Sequence, residues 1–273
     1  MDIRAILVNV DLDTANSTAL KYAIDLAKTF DAELIGVAAE EPNLAFVGVE
    51  GSGAAVDFYA LERSEIEKRL DASQQHFRAL LPTGMKSQWH AYLSSPVGCL
   101  LDTAHMADLI VTGATTSSTF GGRMRVNLGE LVLASGRPVL DVGKDVAQAS
   151  LDKIVIGWKD TREARRAVTD ALPFLKRAKQ VSALTISEGD VEYERRNLDG
   201  LIAWLGKHGV TADSNVIVNS DGYVDVLEST ALADGANLIV AGGYGHSRMR
   251  EWLFGGMTRS LLESSSLNRL LSN

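Results

Sequence analysis

The residues best placed for chemistry lie in two short stretches of the C-terminal half. The longer is Gly242-Gly243-Tyr244-Gly245-His246-Ser247-Arg248-Met249-Arg250-Glu251-Trp252-Leu253-Phe254-Gly255-Gly256-Met257-Thr258, which follows the apolar run Leu238–Ala241. Gly242 closes that run, Gly245 lies three residues on, and Gly255 and Gly256 precede a helical pattern holding Leu261 and Leu262. Glycine lets a backbone come close to a ligand, and a helix start offers N–H groups to an anion, so this stretch could cradle phosphates. The same glycines would serve a connection that merely turns corners, and loose glycine spacings are common. The second stretch is Asp160-Thr161, just after the run Ile154–Trp158. A carboxylate there could accept hydrogen bonds from ribose hydroxyls, but capping the following helix, residues 162–176, is the simpler role for Asp160.

Other reactive side chains are sparse. The histidines stand at 76, 90, 105, 208 and 246, with neither an H-x-H nor an H-E-x-x-H spacing, so no metal site is expected. No G-x-x-x-x-G-K-[ST] occurs, which leaves no P-loop lysine for fast phosphoryl transfer. No catalytic residue is assigned. His246, Arg248 and Arg250 read as solvated loop side chains, and Cys99, inside Val97–Leu101, as a buried structural thiol. Trp158, at a strand end, either packs or lines a pocket.

The elements that must position these residues come in two similar sets. Ala107-Asp108-Leu109-Ile110-Val111-Thr112-Gly113 matches Ala236-Asn237-Leu238-Ile239-Val240-Ala241-Gly242 at an offset of 129. Near the start of each half, Ile6–Thr14 pairs with Ile154–Thr161 at a larger offset, so the first half carries an insertion, assigned to the loop Glu41–Asp57. Two domains, 1–145 and 150–273, are expected, joined around Gly143–Ser150. Leu20, Ala23, Ile24 and Ala27 fall on one helix face, and a long helix runs from about Tyr59 to Leu81. Strands that are nearly continuous Val, Ile and Leu are buried on both faces, which points to parallel sheets covered by helices. The fold class is therefore α/β, with two tandem doubly wound parallel-sheet domains of about five strands each, related by a pseudo-twofold. Ligands in such sheets bind outside the carboxyl ends of the strands where strand order reverses, after the first and fourth strands. Both stretches above fall there. The last strand of the second half, Asn268-Arg269-Leu270, answers to Pro138-Val139-Leu140, and its polar residues predict a poorly paired edge.

Two α/β halves, an acidic turn after the first strand, and the spacing Gly242-x2-Gly245-x9-Gly255 after the fourth resemble the universal stress protein family in its tandem form. The resemblance implies ATP in the second domain, with its phosphates wrapped by Gly242, Gly245 and Gly255. It implies Asp160 near the adenosine and Val181–Ile186 beside the adenine. Gly256 stands where the family has Ser or Thr, and Thr258 lies two residues later. In the first domain Gly113 matches, but Thr116 replaces the second glycine and Val126-Asn127 arrives at the third, so that copy is read as degenerate and non-binding. The implied function is a stress-response binding or signalling module with an adenine nucleotide in its second domain. The alternatives are a nucleotide-free scaffold acting by protein association and a slow nucleotide hydrolase. A homodimer and an unidentified protein partner are both compatible with these readings.

Composition narrows the partners. Of 273 residues, 46% are apolar and 23% charged, too apolar for a disordered chain. The net charge of −8 argues against nucleic acid or an anionic membrane as the main partner. A lone cysteine excludes an intrachain disulfide and fits a reducing compartment. The start resembles no signal peptide and no run approaches the ~18 apolar residues of a membrane span, so a cytoplasmic protein is expected.

Overall fold

A computed structural model of the chain describes residues 2–12, 18–42, 53–113, 126–143, 146, 148–187, 189–218, 223–243 and 267–273, without the side chains of 53–56 and 223–225. The first unit runs β1 (Ala5–Asn9), α1 (Thr18–Phe30), β2 (Glu33–Ala39), α2 (Gly53–Leu80), β3 (Ser87–Tyr92), α3 (Pro96–Thr103), β4 (Leu109–Gly113), α4 (Leu128–Ala134) and β5 (Val139–Val142). The second runs β6 (Lys153–Gly157), α5 (Arg162–Leu175), β7 (Gln180–Ser187), α6 (Val191–Lys207), β8 (Asp213–Val218), α7 (Tyr223–Ala233), β9 (Leu238–Gly242) and β10 (Asn268–Ser272).

The strands form one ten-stranded sheet in the order β3-β2-β1-β4-β5-β10-β9-β6-β7-β8. Each unit repeats one plan, with its first strand beside its second and fourth, and within each unit all pairs are parallel. The order reverses between β1 and β4 and again between β6 and β9, which opens a crevice at the carboxyl ends of both pairs.

The expected poor edge strand is corrected here. β10 is an interior strand, parallel to β9 and antiparallel to β5, and Asn268 and Arg269 are buried. Its polar residues have partners that the sequence does not display. Asn268 Oδ1 accepts the Gly143 N–H at 3.1 Å, Asn268 Nδ2 donates to the Asn237 carbonyl at 2.8 Å, and Arg269 Nη2 pairs with Asp141 Oδ2 at 2.5 Å. A second correction concerns α2, which starts at Gly53 and not near Tyr59. Gly53 stands at the first helical position, outside the interior where glycine is costly, and Ala54 and Ala55 are strong helix formers.

Burial on both faces explains the parallel strands, since β1 (AILVN) and β6 (KIVIG) have fully enclosed interiors. One face carries α1, α2, α5 and α6 over a core shared by both units. The opposite face has two smaller clusters, under α3 and α4 and under α7. The shared core is closed where α1 meets α5. Phe30 and Phe174 meet edge to face at 5.2 Å, and the Arg177 guanidinium lies 4.5 Å over the Phe30 ring. Such an aromatic pair adds ~0.5–1.5 kcal/mol beyond the area it buries. Among the described residues, no helix is long and apolar enough to cross a membrane.

Candidate functional site

The second crevice lies at the ends of β6 and β9, where Gly157 pairs with Ala241. β6 stays pinned for one residue beyond its end: Trp158 N–H donates to the Leu184 carbonyl at 2.8 Å, and its own carbonyl accepts the Thr185 hydroxyl at 2.6 Å. This fixes Trp158 at the rim, where its side chain is both buried in the shared core and a wall of a cavity. Both readings of this residue therefore apply.

Asp160 does not cap α5, contrary to expectation. The cap is Thr161, whose extended backbone sets its hydroxyl to accept the Ala164 N–H at 3.2 Å. Threonine wins because it directly precedes the helix, which leaves the carboxylate one residue too early. Asp160 Oδ1 instead accepts from Arg165 Nε at 2.7 Å, with its side chain 34% exposed at the rim. Glu163, in the first turn, is buried. Burial pushes its carboxyl up, but hydrogen bonds from Arg162, from its own N–H and from the Thr161 hydroxyl outweigh that and hold it below the usual carboxylate range.

Between α5 and α6 a cavity of about 390 Å³ opens from this rim, with Trp158, Val168, Leu201 and Trp204 as apolar walls. Asp160, Arg165, Arg196 and Asn197 supply its polar groups. Asn197 Nδ2 is buried without a hydrogen-bond partner among the described residues. Flat aromatic walls suit a planar apolar body, while the amide and the carboxylate can bind polar edges. Sequence reading missed Arg165, Asn197 and Trp204. Their signal was the spacing 197, 200, 201, 204 on α6 facing 165, 168, 169 on α5, which reads first as two ordinary amphipathic faces.

Gly242 has a structural reason to be glycine. A Cβ there would lie 2.5 Å from Ala164 N and 2.7 Å from the Glu163 carbonyl carbon, so the first turn of α5 needs the space. The remaining expected phosphate contacts, Gly245, Gly255, Gly256 and Thr258, lie outside the described residues, as does Thr116.

The first crevice is furnished differently. Val10 N–H donates to the Val37 carbonyl just as Trp158 donates to that of Leu184, which makes Val10 the counterpart of Trp158. Glu40, after β2, pairs with Arg69 of α2 at 2.6 Å. Asn127, at the position expected of a third glycine, caps α4 by accepting the Glu130 N–H at 3.1 Å. Cys99 is buried in α3, and burial pushes its thiol up. Among the described residues, no group of three His, Cys, Asp or Glu could hold a metal ion.

No protein-family model and no curated protein matches this sequence. Solved structures do. A universal stress protein from Archaeoglobus fulgidus DSM 4304 superposes with a TM-score of 0.67 at 17% identity, over 98% of this chain and 96% of that one. A functionally unknown protein from Pseudomonas aeruginosa PAO1 gives 0.63 at 16% identity, over 99% and 92%. Identity this low speaks to architecture, and the likeness spans both units in a single alignment. The chain thus has the universal stress protein fold in its tandem, two-unit form.

Proposed function

We propose that the protein is a stress-response binding module that holds one adenine nucleotide per chain, at the carboxyl rim of its second domain, 150–273. The observation that carries this reading is the meeting of Asp160, Trp158 and Gly242 at the β6/β9 reversal, beside an aromatic-walled cavity. Asp160 would accept ribose hydroxyls, and β7 would flank the adenine. Gly245 and Gly255 would bring backbone N–H groups to the phosphates, with Thr258 nearby. Gly256 withholds one hydroxyl, and a charge-assisted hydrogen bond contributes ~1.5–3 kcal/mol, so micromolar or weaker affinity is expected. The first domain, 1–145, offers Val10 in place of Trp158 and Thr116 in place of Gly245, and takes no nucleotide. The reading is one of binding and signalling through a protein partner rather than turnover.

Titration calorimetry with ATP tests this on the intact chain, on Asp160→Ala and on Gly245→Val. One site per chain is expected, with affinity about tenfold weaker in Asp160→Ala, equivalent to ~1.4 kcal/mol, and no measurable heat in Gly245→Val. A stoichiometry of two, or undiminished binding in both variants, would place the site elsewhere. Absence of ATP binding to the wild type would favour the scaffold that acts by association alone.

A further inference from the structure

The antiparallel pair at the middle of the sheet has a register of Arg269 opposite Asp141, Leu270 opposite Leu140, and Leu271 opposite Val139. The flanking parallel pairs align the two units. Val139 sits beside Ile110 and Arg269 beside Ile239, and Ile110 and Ile239 are the same position of the repeat. Val139 is therefore equivalent to Arg269, Leu140 to Leu270, and Asp141 to Leu271. The pseudo-twofold axis passes through the Leu140–Leu270 pair and carries Asp141–Arg269 onto Leu271–Val139. One of these symmetry mates is an ion pair with both side chains under 10% exposed, and the other is apolar.

That asymmetry decides between arrangements that backbone geometry treats alike. A β5 edge could equally pair with the β5 of a second copy, and a β10 edge with a second β10, in the same register. In the first case two copies of Asp141 would each face Val139, and in the second each Arg269 would face Leu271. Both leave charges buried without partners, a strongly unfavourable state. Burial pushes Asp141 up, Arg269 pulls it back, and Glu228 adds a further push, so the carboxylate depends on its cation. An independent contact runs the same way. The Gly143 N–H is accepted by Asn268 Oδ1, whereas Pro138, the repeat equivalent of Asn268, has no side-chain acceptor.

We propose that the β5 edge is an interaction surface specified for one partner strand, β10 with its cation, and that the Asp141–Arg269 pair excludes pairing of either strand with its own copy in another chain. The full chain is unfolded in denaturant, refolded and sized by chromatography with light scattering. Asp141→Leu with Arg269→Val makes both symmetry mates apolar; it is expected to regain native circular dichroism but to raise the fraction of self-paired dimers and larger species at least tenfold over wild type. Asp141→Arg alone and Arg269→Asp alone place like charges face to face and should each refold poorly. Refolded together in equal amounts, they should form a heterodimer by exchange, in which the arginine at 141 of one chain meets the aspartate at 269 of the other. Both changes in one chain should restore the wild-type profile. A wild-type size distribution for the apolar double variant would overturn the proposal. If that variant does not fold, the mixture decides: no heterodimer beyond what each variant gives alone overturns it as well.

Discussion

The rims of the two crevices differ far more than the strands that lead to them. β1 and β6 have equivalent neighbours, the second and fourth strands of their own units, and both are followed by one further backbone hydrogen bond beyond their ends. At that bond the first unit has the aliphatic Val10 where the second has the aromatic Trp158. Residues inside a strand of a doubly covered sheet are packed on both sides, and few exchanges fit. The residue just past the strand is less constrained, so the same backbone holds a small aliphatic side chain in one unit and an indole that walls a cavity in the other. The duplicated architecture is thus a shared frame, and the proposed nucleotide site rests on a few residues at its rim.

The sharpest break of this comparison is at the fourth strands. Gly242 lies against the α5 backbone, whereas a Cβ at Gly113 would lie 3.4 Å from the Ala19 side chain, an ordinary contact. Gly242→Ala must push back a helix start that Thr161 and the shared core hold in place, and should cost about 3 kcal/mol. Gly113→Ala should cost less than about 1 kcal/mol. Urea midpoints of the two variants measure this directly. Equal losses would mean that α1 and α5 approach the sheet alike, and that the Gly242 position is not fixed by helix packing.

A smaller effect is expected at the caps. Thr161→Ala removes the acceptor of the Ala164 N–H and should cost about 1 kcal/mol, as should Asn127→Ala at α4. The two variants differ in what else they move. Thr161 adjoins Asp160 and its hydroxyl also touches Glu163, so its loss should loosen the β6 rim and weaken ATP binding, while Asn127→Ala leaves binding unchanged. Thermal unfolding with and without ATP separates these outcomes. Equal ligand effects in both variants would detach the Asp160 rim from the nucleotide reading.

Much of this frame is legible in the chain itself. Apolar runs mark the strands, and the repeat Ala107–Gly113 against Ala236–Gly242 marks the duplication. Other features required partners distant in sequence. Asn268 and Arg269 look like an exposed edge until Gly143 and Asp141 are set opposite them, 125 and 128 residues away. Asp160 and Thr161 are both good cap residues, and only backbone geometry chooses between them. Gly242 shows the same ambiguity: a glycine announces a close approach without saying whether a ligand or a helix fills the space. The α5–α6 cavity escaped because its walls have the spacing of helix faces that usually pack.

The finest distinction between the units is in acid. The first turn of α5 carries Glu163, whereas that of α1 carries no acidic residue. Glu163 is held below the usual carboxylate range in the folded protein, so it contributes stability above its unfolded value of about 4.3, and that contribution is lost as pH falls through the folded value. Asp141 has the opposite sign, since its carboxyl is pushed up and the folded state takes up its proton more readily. Glu163→Gln should therefore lower stability near neutrality, where the ionised carboxylate contributes, and make the decline below about pH 4.3 shallower, so that variant and wild type converge in acid. Because the exposed Arg162 guanidinium is the principal partner of Glu163, added salt should narrow the gap between the two acid limbs. Urea midpoints between about pH 3 and 7, at low and high salt, give the answer. Parallel acid limbs would show that Glu163 has the same proton affinity folded and unfolded, and that the first turn of α5 is electrostatically no different from that of α1.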